Sequence, residues 1–148
     1  MSYSIDTCAF IDARLRLYPP DVFEKFWEQF DNMLCDGTCL MSKQVLIELQ
    51  QKADECADWA KQHPEVFVEV SEYWAIAREI VRQHSALAKA DNKNEDADAY
   101  VIALAAKRNL TVVTSEKYSP KKIPGVCEAI GVKCVDLLGL MREQRWKF

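Results

Sequence analysis

Short strand-like runs alternate along the chain with longer segments of helical period, and this alternation limits the folds that the chain can adopt. Residues 110–114 (LTVVT) are rich in β-branched side chains and give the clearest strand signal. The predicted strands are residues 3–7, 38–41, 110–114 and 132–135. The predicted helices are residues 21–34, 43–62, 71–89, 97–106, 124–130 and 137–143. Strands that alternate with helices form a parallel sheet with right-handed crossovers, so the sequence predicts an α/β fold.

Turn and cap residues mark several of these boundaries. Pro19 and Pro20 precede the first predicted helix, Ser42 is a candidate N-cap for the second, and Gly131 ends helix 124–130. Residues 92–96 form a polar break, and residues 97–106 are apolar nearly all round, which predicts a helix buried between other elements. No linker or repeat divides the 148 residues, so we expect a single domain over residues 1–148.

Composition excludes several classes of protein. Apolar residues make up 49% and charged residues 28% of the chain, close to globular averages, which argues against disorder. The longest apolar run, residues 99–106, is far shorter than the ~20 residues that span a bilayer. The N-terminal residues lack the basic and apolar segments of a signal peptide. We therefore expect a cytoplasmic protein that does not enter a membrane.

Six cysteines raise the question of disulfides or a zinc site. Their spacing provides no CxxC pair, and the chain has only two histidines. A reducing compartment disfavours disulfides, so we interpret the cysteines as buried thiols that pack as small apolar side chains. They are Cys8, Cys35, Cys39, Cys56, Cys127 and Cys134.

Charge is unevenly distributed. Residues 1–106 hold 10 Lys and Arg against 19 Asp and Glu, whereas residues 107–148 hold 9 against 4. An acidic chain with a basic final segment does not coat nucleic acid in a simple way, but it can meet phosphate through a bound cation.

A set of acidic residues falls where strands end and the following helices begin. In a parallel sheet these positions share the carboxyl edge, where α/β proteins place their sites. Carboxylates at one edge repel each other unless a cation lies among them, and oxygen ligands without His or Cys suit Mg²⁺ or Mn²⁺. The candidate metal ligands are Asp6, Glu48, Asp96, Asp98 and Glu116.

Simpler interpretations of these acids stay open. Asp96 and Asp98 could stabilise the positive N-terminus of a helix, and Asp96 can share a site with Asp98 only if it precedes that helix. Glu48 could be an ordinary helix-surface acid, and Glu116 a loop acid beside a lysine. Asp6 is the hardest to explain in this way, because a charge on a central strand is rarely buried without a partner.

Three segments resemble characteristic segments of the PIN domain family. They are IDTCAFI at residues 5–11, DAYVIALA at residues 98–105 and VVTSE at residues 112–116. Residues 18–23 (YPPDVF) and the following Phe26-Trp27 resemble a branch of that family filed as a domain of unknown function.

The resemblance implies a three-layer α/β/α fold with a central parallel sheet of about four to five short strands. It also implies metal-dependent ribonuclease activity on single-stranded or structured RNA. Many bacterial members, of the VapC type, are toxins of type II toxin–antitoxin pairs and form homodimers.

The resemblance also assigns roles to individual residues. Asp6, Glu48 and Asp98 match the metal-binding acids of the family, and Glu116 matches the fourth acid, which is usually Asp. Thr114 matches the polar residue of the same motif, and Ser115 beside it is a second supporting candidate. The sequence departs from the family pattern at two positions: Cys8 stands where Ser or Asn is common, and Glu116 is one methylene longer than Asp.

These roles predict hydrolysis of an RNA phosphodiester. A cation held by Asp6, Glu48 and Asp98 would orient the scissile phosphate and activate a water, leaving a 5′-phosphate and a 3′-hydroxyl. RNA would run along basic residues beyond this edge, first in the loop after Glu116 and then near the N-terminus. These candidates are Lys117, Lys121 and Lys122, followed by Arg14 and Arg16.

Two other functions remain open. The chain could be a non-catalytic PIN-like module that binds RNA or a protein, its acids being structural. It could also be a phosphotransfer or phosphatase domain with Asp6 as nucleophile, although Cys8 occupies the place where such domains usually carry a second acid. The phosphate-binding patterns GxxxxGK[ST] and GxGxxG are absent from the sequence, so nucleotide binding has no support.

Overall fold

The computed structural model of the chain, which describes residues 1–52, 54–87 and 97–148, contains a central sheet of five parallel strands. The strands are Tyr3–Ile5 (β1), Cys39–Ser42 (β2), Phe67–Val68 (β3), Thr111–Val113 (β4) and Cys134–Val135 (β5). Their order across the sheet is β3-β2-β1-β4-β5, so the first strand of the chain is the central one. Every adjacent pair is parallel. Helices flank this sheet, which confirms the predicted three-layer α/β/α fold.

The helices in the described residues connect and cover these strands. They are Thr7–Asp12 (α1), Glu24–Cys35 (α2), Lys43–Lys52 (α3), Asp54–Gln62 (α4), Trp74–Gln83 (α5), Asp98–Arg108 (α6), Ile123–Ile130 (α7) and Leu137–Glu143 (α8). A π-helical turn, Ala13–Leu17, continues α1. None of the helices in the described ranges is both long and apolar enough to cross a membrane.

The core lies where α6 packs against the central strands. Residues 99–105 of α6 are all buried, as the sequence predicts for a helix that is apolar nearly all round. The buried Ser4 hydroxyl of β1 donates a hydrogen bond to the Val101 carbonyl at 2.9 Å, so this polar group has a partner inside the core. The aromatic face of α2 is also core: Phe26, Trp27 and Phe30 are buried.

Cap residues behave as the sequence predicts. The Ser42 hydroxyl accepts a hydrogen bond from the backbone N–H of Gln44 at 3.1 Å, at the start of α3. Gly131 ends α7 with φ +79°, a left-handed conformation that favours glycine. The carboxylate of Asp136 accepts a hydrogen bond from the backbone N–H of Gly139 at 2.7 Å and caps α8.

Two elements are absent from the sequence prediction. Helix α1 begins two residues after the end of β1. Thr7, Ala9 and Phe10 of α1, with Ala13 of the following π-helical turn, are buried at helical spacing. The sequence prediction omits this helix because it places the first helix after Pro19-Pro20. Strand β3 has only two residues, too few for a period-2 pattern.

Other boundaries were wrong by a few residues or more. The helix predicted over residues 43–62 corresponds to α3 and α4, and residue 53 between them lies outside the described residues. The helix predicted over residues 71–89 is α5 flanked by short 3₁₀ turns at Val70–Glu72 and Ser85–Leu87. The predicted polar break at residues 92–96 lies outside the described residues. Strand β1 ends at Ile5, because Thr7 already belongs to α1.

The cysteines are all free thiols. Cys39, Cys56 and Cys127 are buried, as predicted, and Cys8 and Cys134 are half-buried. Cys35 is exposed at the end of α2, so the prediction of a buried thiol was wrong for this residue.

Gly125 fixes the segment between β4 and α7. A Cβ at this position would lie 2.1 Å from the Ser119 carbonyl oxygen and 2.5 Å from the Pro120 Cα, both backbone atoms. The absence of a side chain therefore lets residues 119–120 lie directly on the first turn of α7. This close approach sets the path of the chain from the carboxyl end of β4 to α7.

We expect Gly125→Ala to lower the free energy of unfolding by at least about 2 kcal/mol, because backbone must move to admit the methyl group. Ala129→Ser, which adds one atom on the exposed face of the same helix, is the matched control and should change stability by less than about 0.5 kcal/mol. Urea unfolding of both variants measures the difference. Equal stabilities would show that residues 119–120 do not pack on α7 as described.

Candidate metal centre

The topology of the sheet places Asp6 at its carboxyl edge. Asp6 follows β1, and its backbone N–H donates a hydrogen bond to the Val113 carbonyl of β4 at 2.9 Å. The residue is only 2% exposed. The central strand therefore ends in a carboxylate that almost no solvent reaches, and such a group requires partners.

Two neighbouring side chains supply these partners. The Thr114 hydroxyl donates to Oδ2 of Asp6 at 2.8 Å, and the Cys8 Sγ lies 2.7 Å from the same oxygen. Burial, followed by the charge of Asp6, raises the pKa of the Cys8 thiol to about 12, so the thiol keeps its proton and donates it. Hydrogen bonds from Ser115 to Cys8 oppose this rise in pKa. Cys8 thus takes the polar contact that Ser or Asn would make.

Glu48 reaches the same place from α3. The Thr7 hydroxyl donates to its Oε1 at 2.7 Å, and Lys52, one helical turn later, places Nζ 3.4 Å from Oε2. Glu48 is 9% exposed, so it is not the ordinary surface acid of the simpler interpretation. Its carboxylate is oriented by the first residue of α1 and partly neutralised by Lys52.

Glu116 follows β4 and has two anchoring contacts. Its Oε2 accepts a hydrogen bond from the backbone N–H of Ile123 at 3.2 Å, at the first residue of α7. Its own backbone N–H donates to the Thr114 hydroxyl at 3.2 Å. The extra methylene of Glu relative to Asp therefore lets this side chain bind the start of a helix.

One cavity brings the acids together. Asp98, the half-buried first residue of α6, lines this cavity together with Asp6, Glu48 and Glu116. Acids that follow β1 and β4 therefore meet acids of α3 and α6 at one edge. The cavity has a volume of about 110 Å³ and is lined by Asp6, Thr7, Cys8, Glu48, Lys52, Asp98 and Glu116. The fifth predicted ligand, Asp96, lies outside the described residues.

The donor set suits a hard cation. All four acids offer oxygen ligands, and no His lines the cavity, a set typical of Mg²⁺ or Mn²⁺ and not of Zn²⁺. Within residues 1–52, 54–87 and 97–148, no three acidic, Cys or His side chains converge closely enough to hold an ion in their present rotamers. Glu48 is turned toward Thr7 and Lys52, and Glu116 toward α7. A cation at this edge would require these two side chains to rotate away from their present partners.

Mutual repulsion acts on the pKa of Asp6. Burial first, and then the negative charges of Glu116 and Glu48, raise the pKa of this carboxyl to about 6, although the hydrogen bonds from Cys8 and Thr114 lower it. A buried carboxylate surrounded by like charges is the electrostatic environment that a divalent cation neutralises.

The structure separates the predicted basic residues into two groups. Lys117, Lys121 and Lys122 are exposed in the loop that follows Glu116. Arg14 instead stacks over the Trp27 ring at 4.7 Å and pairs with Glu55 at 3.3 Å, and Arg16 pairs with Asp12 at 3.2 Å. The loop lysines thus follow the cavity residue Glu116 along the chain and are exposed, whereas the two arginines have partners on helices.

Sequence reasoning missed Thr7 and Lys52 as part of the site. Each had a local signal: Thr7 directly follows Asp6, and Lys52 lies four residues after Glu48, the spacing of facing side chains on a helix. Because the sequence prediction lacks α1, Thr7 falls at the end of a predicted strand.

A five-stranded parallel sheet between helices, with acids at the carboxyl edge around the central strand, has the three-layer α/β/α architecture of a PIN-like fold. The chain belongs to the family DUF4411, described as a domain of unknown function, whose model matches residues 3–148. A search of curated proteins found no match.

Solved structures share this fold. One is VapBC2 from Rickettsia felis bound to a promoter DNA fragment. It aligns with a TM-score of 0.51 and 18% identity over 92% of this chain and 98% of that chain. FitAcB from Neisseria gonorrhoeae aligns with a TM-score of 0.51 and 15% identity, covering 89% and 95%. FitAB bound to the IR36 DNA fragment gives 0.53 and 16%, covering 90% and 94%. At these identities the likeness is one of fold.

We expect Asp6→Asn to stabilise the protein in EDTA in a pH-dependent way. Below about pH 4 the carboxyl is protonated in both the folded and the unfolded chain, so the variant and the parent differ little. Between about pH 4 and 6 only the folded protein keeps the proton, and the parent loses stability relative to the variant as the pH rises. The difference should reach up to about 3 kcal/mol above pH 7.

Urea unfolding at a series of pH values measures this difference. Asp58→Asn, at an exposed position on α4, is the matched control and should show no such trend. A difference between Asp6→Asn and the parent that stays constant from pH 4 to 8 would contradict the buried, charge-crowded state of Asp6.

Proposed function

We propose that the protein is an Mg²⁺- or Mn²⁺-dependent ribonuclease that hydrolyses phosphodiester bonds of RNA. The observation that carries this proposal is the cavity in which three further acids, Glu48, Asp98 and Glu116, surround the buried carboxylate of Asp6. Like charges placed together at this cost to stability are expected where a cation and a phosphate bind.

The residues of the cavity have distinct roles in this proposal. Asp6, Glu48, Asp98 and Glu116 would hold the cation, with Asp96 a further candidate. A bound Mg²⁺ or Mn²⁺ supplies Lewis acidity toward the scissile phosphate and lowers the pKa of a water. Thr114 and Cys8, with Ser115 bonded to Cys8, hold the Asp6 carboxylate in one orientation.

Three contacts act on Glu48 and Glu116. Thr7 fixes one oxygen of Glu48, and Lys52 balances its charge until a cation replaces that interaction. The Ile123 N–H holds Glu116 within reach of the cavity. The backbone thus places Glu48 and Glu116 at the cavity before a cation arrives, and rotation of their side chains would complete the site.

RNA would reach this edge through the exposed lysines of the loop after Glu116. Lys117, Lys121 and Lys122 can contact phosphates beside the scissile one, and these contacts position the strand without reading its sequence.

We further propose that the protein is the toxin of a type II toxin–antitoxin pair. This rests on the PIN-like fold, which the chain shares with VapBC2 and FitAB, structures described with promoter or other DNA fragments. A small antitoxin protein and a second copy of the chain are the partners we propose, and the cytoplasm is the compartment in which such a pair would act.

A second candidate is a non-catalytic PIN-like module that binds RNA or protein. The partners of the acids favour it: Lys52 already pairs with Glu48, and the Ile123 N–H already occupies Glu116. In this role the carboxylates would stabilise α3 and α7 and would not rotate toward a cation.

We expect the purified protein to cut single-stranded RNA with Mn²⁺ or Mg²⁺ and to stop in EDTA. Asp6→Asn should lower the cleavage rate by at least about 100-fold, because it removes the central ligand while its amide keeps the hydrogen bond from Thr114. Asp58→Asn serves as the control with unchanged rate. Cleavage in EDTA, or full activity of Asp6→Asn, would contradict the metal-dependent mechanism. RNA binding without cleavage in any cation would support the non-catalytic module.

A further inference from the structure

We propose that Tyr118 stacks against the base of an unpaired nucleotide of the RNA, close to the bond that is cut. The inference rests on the proposed function and adds to it a residue that contacts a base and not a phosphate. It also selects the substrate: the nucleotide at this position has to be single-stranded.

Tyr118 differs from every other tyrosine of the chain in its exposure. Its side chain is 62% exposed, whereas Tyr3, Tyr73 and Tyr100 are buried and Tyr18 is half-buried between the rings of Phe23 and Phe26. The buried tyrosines serve the core or its hydrogen bonds. Tyr118 presents an aromatic face to solvent in a loop that is otherwise polar and basic.

The loop that carries Tyr118 is fixed at both ends. The Thr114 hydroxyl accepts from the backbone N–H of Glu116 at 3.2 Å, and the Glu116 carboxylate accepts from that of Ile123. Between them, the N–H of Lys122 donates to the Ser119 carbonyl at 3.1 Å. Gly125 lets residues 119–120 lie on α7. The Lys122–Ser119 hydrogen bond and the packing of residues 119–120 on Gly125 involve no metal ligand, so they hold the loop even when Glu116 turns toward a cation. An anchored loop loses little conformational entropy when its side chain meets a ligand.

Position along the chain places the backbone of Tyr118 close to that of Glu116, a residue that lines the cavity. Tyr118 comes two residues after Glu116, so their Cα atoms are at most about 7.6 Å apart. A nucleotide whose phosphate lies in the cavity, or its direct neighbour, is therefore the one whose base can reach the ring.

The charges around the ring suit a single strand. Lys117 precedes Tyr118 directly, and Lys121 and Lys122 follow in the same loop, all exposed. Proteins that bind single strands combine such positive charge for the backbone with aromatic rings on which bases stack. In a duplex the faces of the bases are already stacked on their neighbours, so only an unpaired base can lie on Tyr118.

The test measures RNA binding apart from cleavage. An unstructured, fluorescently labelled oligoribonucleotide is titrated in the presence of Mg²⁺ with protein carrying Asp6→Asn, so that the RNA stays intact. In this background Tyr118→Phe should bind within about 2-fold of Tyr118, because it keeps the aromatic face. Tyr118→Leu should bind about 5-fold to 100-fold more weakly, the loss expected for one stacked base.

Salt dependence separates stacking from charge. Tyr118→Leu should leave the slope of log affinity against log salt unchanged, since it removes no phosphate contact. Changing Lys117, Lys121 and Lys122 together to Ala should reduce that slope by about 0.7 for each lysine that binds a phosphate. Trp74→Leu is the matched control. Trp74 is a 50% exposed aromatic residue at the start of α5, two residues after Glu72. Glu72 pairs with Arg108 at the last residue of α6, the opposite end of that helix from Asp98.

An abasic nucleotide moved along the oligonucleotide locates the base. At one position, next to the cut, removal of the base should weaken binding to Tyr118 protein and leave binding to Tyr118→Leu unchanged. At all other positions the two proteins should respond alike. Binding of a fully paired RNA duplex should not depend on the substitution.

The inference is overturned if Tyr118→Leu binds single-stranded RNA as tightly as the Tyr118 protein, if Tyr118→Phe weakens binding as much as Tyr118→Leu, or if no abasic position shows the coupling. It is also overturned if duplex RNA shows the same decrease in affinity.

Cleavage by the parent protein together with any of these results refutes the stacking alone. Binding that depends on Tyr118, together with a parent protein that cuts no RNA in Mg²⁺ or Mn²⁺, refutes the nuclease proposal alone. A parent protein that neither binds nor cuts RNA refutes both.

Discussion

The carboxylate of Asp6 lies at the end of the central strand with hydrogen bonds from Thr114 and Cys8, and the arrangement of the whole carboxyl edge follows from its burial. Because β1 is central, the strand and helix ends on both sides converge on this residue. Its neighbours Glu48 and Glu116 are negative, so the fold keeps like charges close together. The thiol of Cys8, whose pKa is raised to about 12, and the Thr114 hydroxyl are the donors that make this burial tolerable.

Glu48 and Glu116 each have a partner, on the same helix for Glu48 and on the following helix for Glu116. Lys52 lies one turn beyond Glu48 on α3, and the N-terminus of α7 receives Glu116. In the proposed function a cation would replace the Lys52–Glu48 contact, which is weak because Lys52 is about half exposed and its Nζ lies 3.4 Å from the carboxylate. The contact of Glu116 with α7 also closes the loop that carries Tyr118, and the Lys122–Ser119 hydrogen bond lies within that loop.

The sequence was sufficient for the sheet and for the place of the acids. Four of the five strands and the buried helix α6 have clear patterns, and topology alone predicts that Asp6 and Glu116 share an edge. Helix α1 was missed because its six residues make fewer than two turns, and β3 because two residues carry no period. The rotamers of Glu48 and Glu116 could not be predicted, because they depend on Thr7, Lys52 and Ile123, which meet them only in the folded chain.

The central claim is that this cavity binds a divalent cation, and anomalous diffraction from crystals soaked in Mn²⁺ tests it most directly. We expect an anomalous peak within about 2.0–2.6 Å of an Asp6 carboxylate oxygen, the range of hard cations and oxygen ligands. At least one further oxygen of Glu48, Asp98 or Glu116 should lie at the same distance, with Lys52 moved away from Glu48. A cavity without a peak at saturating Mn²⁺, with Lys52 still bonded to Glu48, would contradict the account.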